Sequence, residues 1–244
     1  MAEKYFSLSP YNYVGNNPIS RIDPDGCYWG DKNKDNDSDD RTAWAQDRAY
    51  ERRDNYLARR ESKTRDKIAS TDNKDKLTQY NSKLSNIQDM RADVQDARTE
   101  LAEMGNRTDI SFTFNNLGSE AKVGYISHGK TNGNDGDLQI TINYTSGYEN
   151  KAHELKHGYQ VLKGDITPVN GISDKFEYVS ITPHQSESQA YQRQYAAGGI
   201  LPSSEAGSIS RMTDITPNWV SVIYYYNSQG LKVYPYLSIN YRSR

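Results

Sequence analysis

The sequence predicts an α+β fold, and three observations carry that prediction. A charged stretch from Arg41 to Met104 contains neither Pro nor Gly, which is what long helices tolerate. After Gly105 the pattern shortens to alternating apolar runs separated by Gly, Asn and Asp, which reads as strands. Two further helical stretches, one around His153–His157 and one near 185–197, are set among those runs.

Residues 1–26 are rich in Tyr, Asn, Pro and Gly and end in Ile22-Asp23-Pro24-Asp25-Gly26, a composition that favours extended chain and turns. Residues 27–40 read as a polar linker, with DKNKDNDSDD from Asp31 to Asp40. Its alternating Asp and Asn echo a calcium loop, but Asn36 and Thr42 stand where that loop needs Gly and Glu. Residues 41–104 form the predicted helical hairpin. Leu77, Tyr80, Leu84, Ile87, Val94 and Leu101 recur at three- and four-residue spacing, Trp44 and Leu57 anchor the first helix, and Ser70-Thr71-Asp72-Asn73 marks the break. Asp and Glu interleave with Arg and Lys along both helices, so the hairpin reads as solvated surface and is assigned no chemistry.

Residues 105–244 are expected to be the catalytic region. Strands are predicted at Ile110–Phe114, Val123–Ser127 and Leu138–Tyr144. A loop containing Pro168 and Gly171 follows the first helix of this region. The runs Trp219–Tyr226 and Leu231–Tyr241 are expected to form a β-hairpin across Asn227-Ser228-Gln229-Gly230.

The 244 residues suffice for one compact core plus an appendage. An apolar fraction of 34% and mean hydropathy of −0.95 fit a chain with much solvated helix. Twenty tyrosines offset that polarity, because an apolar body with a wet tip builds strands. A net charge of −2 disfavours nucleic acid as a partner, and no apolar run is long enough for a membrane span. The single Cys27 excludes an intrachain disulfide, leaving packing and a metal to hold the fold.

The chemistry is concentrated in His153-Glu154-Leu155-Lys156-His157. Two histidines four apart on a helix share a face, so both imidazoles reach one ion. The intervening Glu is turned by about 100° and reaches a water. With four histidines in the chain, chance placement of this motif is expected on the order of 0.003 times. Ser146 and Glu149 are expected to form a capping box that opens this helix, and Ala152, Leu155, Tyr159 and Leu162 to anchor it. The motif reads as a zinc-peptidase site, with Zn2+ on His153 and His157 and Glu154 as general base. Catalytic zinc needs a third protein ligand. Among other histidines, His128 at a strand end reads as an ordinary surface residue.

The segment Glu187-Ser188-Gln189-Ala190-Tyr191 resembles the Glu-x-x-Ala pattern of gluzincin-type peptidases. That resemblance implies Glu187 as third metal ligand and a close helix contact at Ala190. His184, three residues earlier, remains the competitor. Tyr191 and His184 are candidates to contact substrate or the transition-state oxyanion, as is Tyr195.

A second resemblance lies at the other end. Ser9-Pro10-Tyr11-Asn12-Tyr13-Val14-Gly15-Asn16-Asn17-Pro18, followed by Asp23-Pro24-Asp25-Gly26, resembles the end of the Rhs-repeat-associated core of polymorphic toxins. In that family a Pro-x-x-x-x-Asp-Pro-x-Gly signature marks an autoproteolytic boundary. Pro18, Asp23, Pro24 and Gly26 match it, while Cys27 stands where an apolar residue is common. The resemblance implies a toxin enclosed in an Rhs cage and delivered by a contact-dependent (type VI) secretion apparatus. It also implies a cognate immunity protein, and with the peptidase motif and the absence of disulfides the expected substrate is a protein in the recipient cytoplasm. The expected function is therefore that of a delivered zinc endopeptidase. A metal-dependent nuclease, or a non-enzymatic toxin with a structural zinc, is the alternative.

Overall fold

The structure is a computed structural model that describes residues 38–118, 123–130, 138–226 and 229–235. The Rhs-like segment, including Asp23, Pro24, Gly26 and Cys27, lies outside the described residues, as does the linker up to residue 37. The described chain is α+β.

Two helices of equal length come first, α1 (Ser38–Ala69) and α2 (Lys74–Gly105). The Asn73 side chain caps α2 by accepting from the Lys76 amide at 3.0 Å, so the polar 70–73 segment turns the chain. Tyr50 and Leu57 of α1 face Ile87, Val94 and Leu101 of α2 in the buried seam, while Trp44 is half-buried. Ion pairs Arg91–Asp54 and Arg98–Asp47, each 2.8 Å, lace its edge. The hairpin is continuous with the rest of the molecule, because its seam joins Phe112, Ile140, Ile142 and Leu155 in one apolar cluster.

Three strands follow, β1 (Ile110–Asn116), β2 (Tyr125–Lys130) and β3 (Leu138–Tyr144), in the order β1-β3-β2. β3 is central, parallel to β1 and antiparallel to β2. Its Ile140 and Ile142 are fully buried. On this sheet lies α3 (Tyr148–Lys163). Its approach is close at Gly158, where an added Cβ would stand 2.8 Å from Ile142 Cδ1 and 3.0 Å from Met104 Cε.

The start of α3 differs from the sequence expectation. No capping box forms between Ser146 and Glu149. The N-cap is Gly147, at a φ of 104° and with no side-chain hydrogen bond, and the Ser146 carbonyl accepts from Asn150 Nδ2. The positive φ explains the difference, since Gly147 tolerates it and turns the chain sharply out of β3.

The segment read as a loop around Pro168 and Gly171 contains a short hairpin, β4 (Ile166–Pro168) and β5 (Phe176–Tyr178). Next comes α4 (Pro183–Ala197), opened by a true capping box between Thr182 and Gln185. The remainder holds β6 (Ser203–Ser204), a 3-10 turn at Met212–Asp214, α5 (Pro217–Ser221), β7 (Ile223–Tyr226) and β8 (Lys232–Val233). Of the expected terminal hairpin, Tyr225 pairs with Val233 and Tyr226 with Lys232, while residues 227, 228 and 236–241 lie outside the described residues. Trp219 belongs to α5, where Thr216 caps the Trp219 amide and Pro217 begins the turn. Its ring fills a second apolar cluster with Ile215, Val220 and Ile223. Among the described residues no helix is long and apolar enough to cross a membrane.

Candidate metal centre

α3 and α4 pack side by side and supply the site. On α3 the apolar stripe of Ala152, Leu155, Tyr159 and Leu162 turns into the core, and the opposite face carries His153 and His157 one turn apart. Ala190, fully buried on α4, is the small residue beside Glu187 that keeps the second helix close. His153 Nε2 and His157 Nε2 lie 3.3 Å apart. Glu187 Oε2 is 3.4 Å from the first nitrogen and Oε1 3.5 Å from the second. This group can hold a metal ion.

The far sides of both rings are fixed by neutral acceptors. His153 Nδ1 donates to Gln194 Oε1 at 3.1 Å, and the Gln194 amide is oriented by its own donation to the Ile200 carbonyl and to Asn150 Oδ1. His157 Nδ1 donates to Gln160 Oε1 at 3.0 Å and to Ser186 Oγ at 3.1 Å. Ser186 Oγ in turn donates to Gln160 Oε1 at 2.6 Å. With both Nδ1 atoms used as donors, the Nε2 lone pairs of the neutral rings point into the shared space, as metal ligation requires.

Two nitrogens at 3.3 Å beside a carboxylate need a positive charge between them. Burial works against a charged imidazole at His157, but the Glu187 carboxylate outweighs it and pushes the pKa up to about 9. Burial likewise works to raise the Glu187 pKa, yet the two histidines hold that carboxylate well below its ordinary range. Glu154 behaves oppositely. It is buried, burial raises its pKa, and the neighbouring histidines offset only part of that rise.

These side chains open on a cleft of about 490 Å³. Its walls are Gly124, Tyr125 and Ile126 from the β2 side, Ile166, Phe176 and Tyr178 from the β4–β5 hairpin, and Ile200, Leu201 and Pro202 after α4. Gly124 is needed there, because a Cβ at that position would stand 2.6 Å from Glu154 Oε1 and 2.7 Å from the Asn143 carbonyl. Tyr191 lines the cleft and meets His153 edge to face, with ring centroids 4.5 Å apart.

The other sequence candidates are placed elsewhere. His184 neither lines the cleft nor belongs to the His153, His157 and Glu187 group. Tyr195 donates to the Ser210 carbonyl. His128 stacks edge to face on Phe176 and bonds the Lys175 carbonyl through Nε2, which ties the β4–β5 hairpin to β2. Sequence reasoning missed Gln160, Ser186 and Gln194, whose partners lie up to 44 residues away. It also missed the β4–β5 wall, for which the only local signal was Ile166 and Phe176-Glu177-Tyr178 flanking Asn170-Gly171. No known protein family, curated protein or solved structure matches this chain, so the reading of the centre rests on its own geometry.

Proposed function

We propose that the chain is a zinc-dependent endopeptidase and forms the effector end of an Rhs-type polymorphic toxin. The observation that carries the enzymatic part is the convergence of His153 Nε2, His157 Nε2 and Glu187 at 3.3, 3.4 and 3.5 Å, with Glu154 beside them in an open cleft. Zinc bonds of about 2.0–2.1 Å in a tetrahedron imply ligand separations of about 3.3–3.4 Å, which these distances match. Two imidazoles and one carboxylate leave a fourth position open, the arrangement of a catalytic rather than a structural ion. When bound, zinc would supply a water of lowered pKa and polarise a carbonyl.

The chain's own residues do the rest. Glu154, turned from the ligand face and raised in pKa by burial, accepts a proton from water and returns it to the departing amine. Tyr191, which lines the cleft against His153, would in this reading donate to developing negative charge. A polypeptide has an edge to lie against, because β2 is the outer strand of its sheet. The His128 amide points away from β3, toward the Ser173 carbonyl at 2.6 Å. By the two-residue period of a strand, the backbone groups of Ile126 and Gly124 turn the same way, over the cleft.

The toxin part rests on residues 9–26 and their resemblance to the Rhs core end. In that reading the protein is released from its cage after Gly26, enters a recipient cell and is neutralised in the producer by an immunity protein. The test is to label new protein amino termini in cells expressing wild type or Glu154→Gln. One dominant new terminus found with wild type alone supports the peptidase and names the target. Nucleic-acid cleavage by both forms, or toxicity undiminished in Glu154→Gln without new termini, would favour a nuclease or a non-enzymatic toxin.

A further inference from the structure

A second cavity, of about 530 Å³, lies between the helical hairpin and the segments that follow α4. Arg53 and Arg60 of α1, Lys83 of α2 and Arg211 line it, and no Asp or Glu does. In a chain of net charge −2 such a cluster is not a consequence of composition. Elsewhere the buried or half-buried arginines Arg91, Arg98 and Arg193 each close on a carboxylate at 2.7–2.8 Å. Arg53 does not. Its Nε donates to the Ala196 carbonyl at 2.7 Å, its guanidinium lies under Gly198, and among the described residues no carboxylate pairs with it. Nor does any carboxylate pair with Arg60 or Lys83, while Arg211 holds Asp214 only at 3.4 Å on the surface.

The rim is fastened in place. Asn86 of α2 accepts from the Met212 amide at 2.8 Å and donates to the Ser210 carbonyl, which Tyr195 also binds. Asp214 accepts from the Arg211 and Ser210 amides. The backbone carrying Arg211 is therefore held against the hairpin, and the four cationic residues line one cavity, with Arg60 also resting on the Tyr56 ring. Ile87 and Met90 give that space an apolar floor.

We propose that this cavity is a binding site for a small polyanion, a compact molecule carrying two or more phosphate or carboxylate groups. Guanidinium groups match both anions with paired donors, and several cations lining one open cavity reward a ligand with more than one charge. The volume is that of a small-molecule site. A concave pocket between the hairpin and the segments that follow α4 favours such a ligand over an extended acidic polypeptide.

Calorimetric titration of the intact protein with fructose 1,6-bisphosphate, with tricarballylate and with a hexaglutamate peptide tests this. Neither small probe is a strong chelator, so the metal centre contributes little. Binding of one equivalent of either small anion at low salt is expected, and which one binds tells phosphate from carboxylate. The Arg60→Gln/Lys83→Gln pair, half-buried and exposed respectively, should weaken it by about tenfold or more, and Arg53→Gln should do so alone. The proposal is overturned if neither small anion binds more tightly than ~10 mM, if the double variant binds equally well, or if hexaglutamate binds more tightly than both.

Discussion

Each histidine of the candidate metal centre has two nitrogens in use, one facing the cleft and one tied to a neutral amide or hydroxyl. Gln194 is the clearer case, because it alone fixes the Nδ1 side of His153. Gln194→Ala should leave the helices folded and lower zinc affinity by about 10–100-fold, read by competition against a chelator. A change of twofold or less would show that ring packing against Tyr191 suffices. His153, Glu154 and His157 were legible in the sequence because helix geometry puts an i, i+4 pair on one face whatever the fold. Glu187 was legible only through its Glu-x-x-Ala context, since nothing local brings it to residues thirty positions earlier. The supporting residues Gln160, Ser186 and Gln194 were not legible at all, because amides and hydroxyls become acceptors for a histidine only after α3 and α4 have docked.

Among the elements, α2 has a role its charge pattern concealed. Arg193 of α4, almost wholly buried, is gripped by Asp93 and Glu100 of α2 at 2.8 Å each, and Glu100 also holds Lys156 of α3 at 2.7 Å. One helix of the hairpin thus ties together the two helices that carry the candidate ligands. Arg193→Ala would leave two carboxylates without their cation and should cost about 3–5 kcal/mol in urea unfolding. A loss below about 1 kcal/mol would mean the acids find water instead. Interleaved charges read as solvated surface because sequence cannot tell a pair on one helix from a pair between helices. The missing capping box at α3 has a similar cause: Ser146 and Glu149 have the right spacing, but the φ of Gly147 sets the entry angle. The break at Ser70–Asn73 was readable, since it depended on local cap chemistry alone.

At the scale of the whole molecule, a single apolar cluster runs from the hairpin seam through the sheet to α3, so hairpin and metal region are expected to unfold together. Tyr50 sits in that seam, fully buried, and burial pushes its pKa from 10 up to about 12. Because the folded state holds the phenol proton more tightly, this contribution is complete below pH 10 and is lost between pH 10 and about 12. Two pKa units correspond to about 2–3 kcal/mol. Unfolding of both regions, followed together, should weaken over that window in wild type and less so in Tyr50→Phe. Equal pH slopes would place the phenol in contact with water. The α+β class was legible from the change of period after Gly105. The docking of hairpin on sheet was not, as it depends on which faces meet.

The most direct measurement is the rate of polypeptide cleavage per bound zinc for wild type, Glu154→Gln and Glu187→Gln. A catalytic zinc centre predicts about one zinc per chain in wild type and in Glu154→Gln, with cleavage lost by about a thousandfold or more in Glu154→Gln. It also predicts loss of both zinc and cleavage in Glu187→Gln. Full zinc occupancy in Glu187→Gln, or undiminished cleavage in Glu154→Gln, would contradict it.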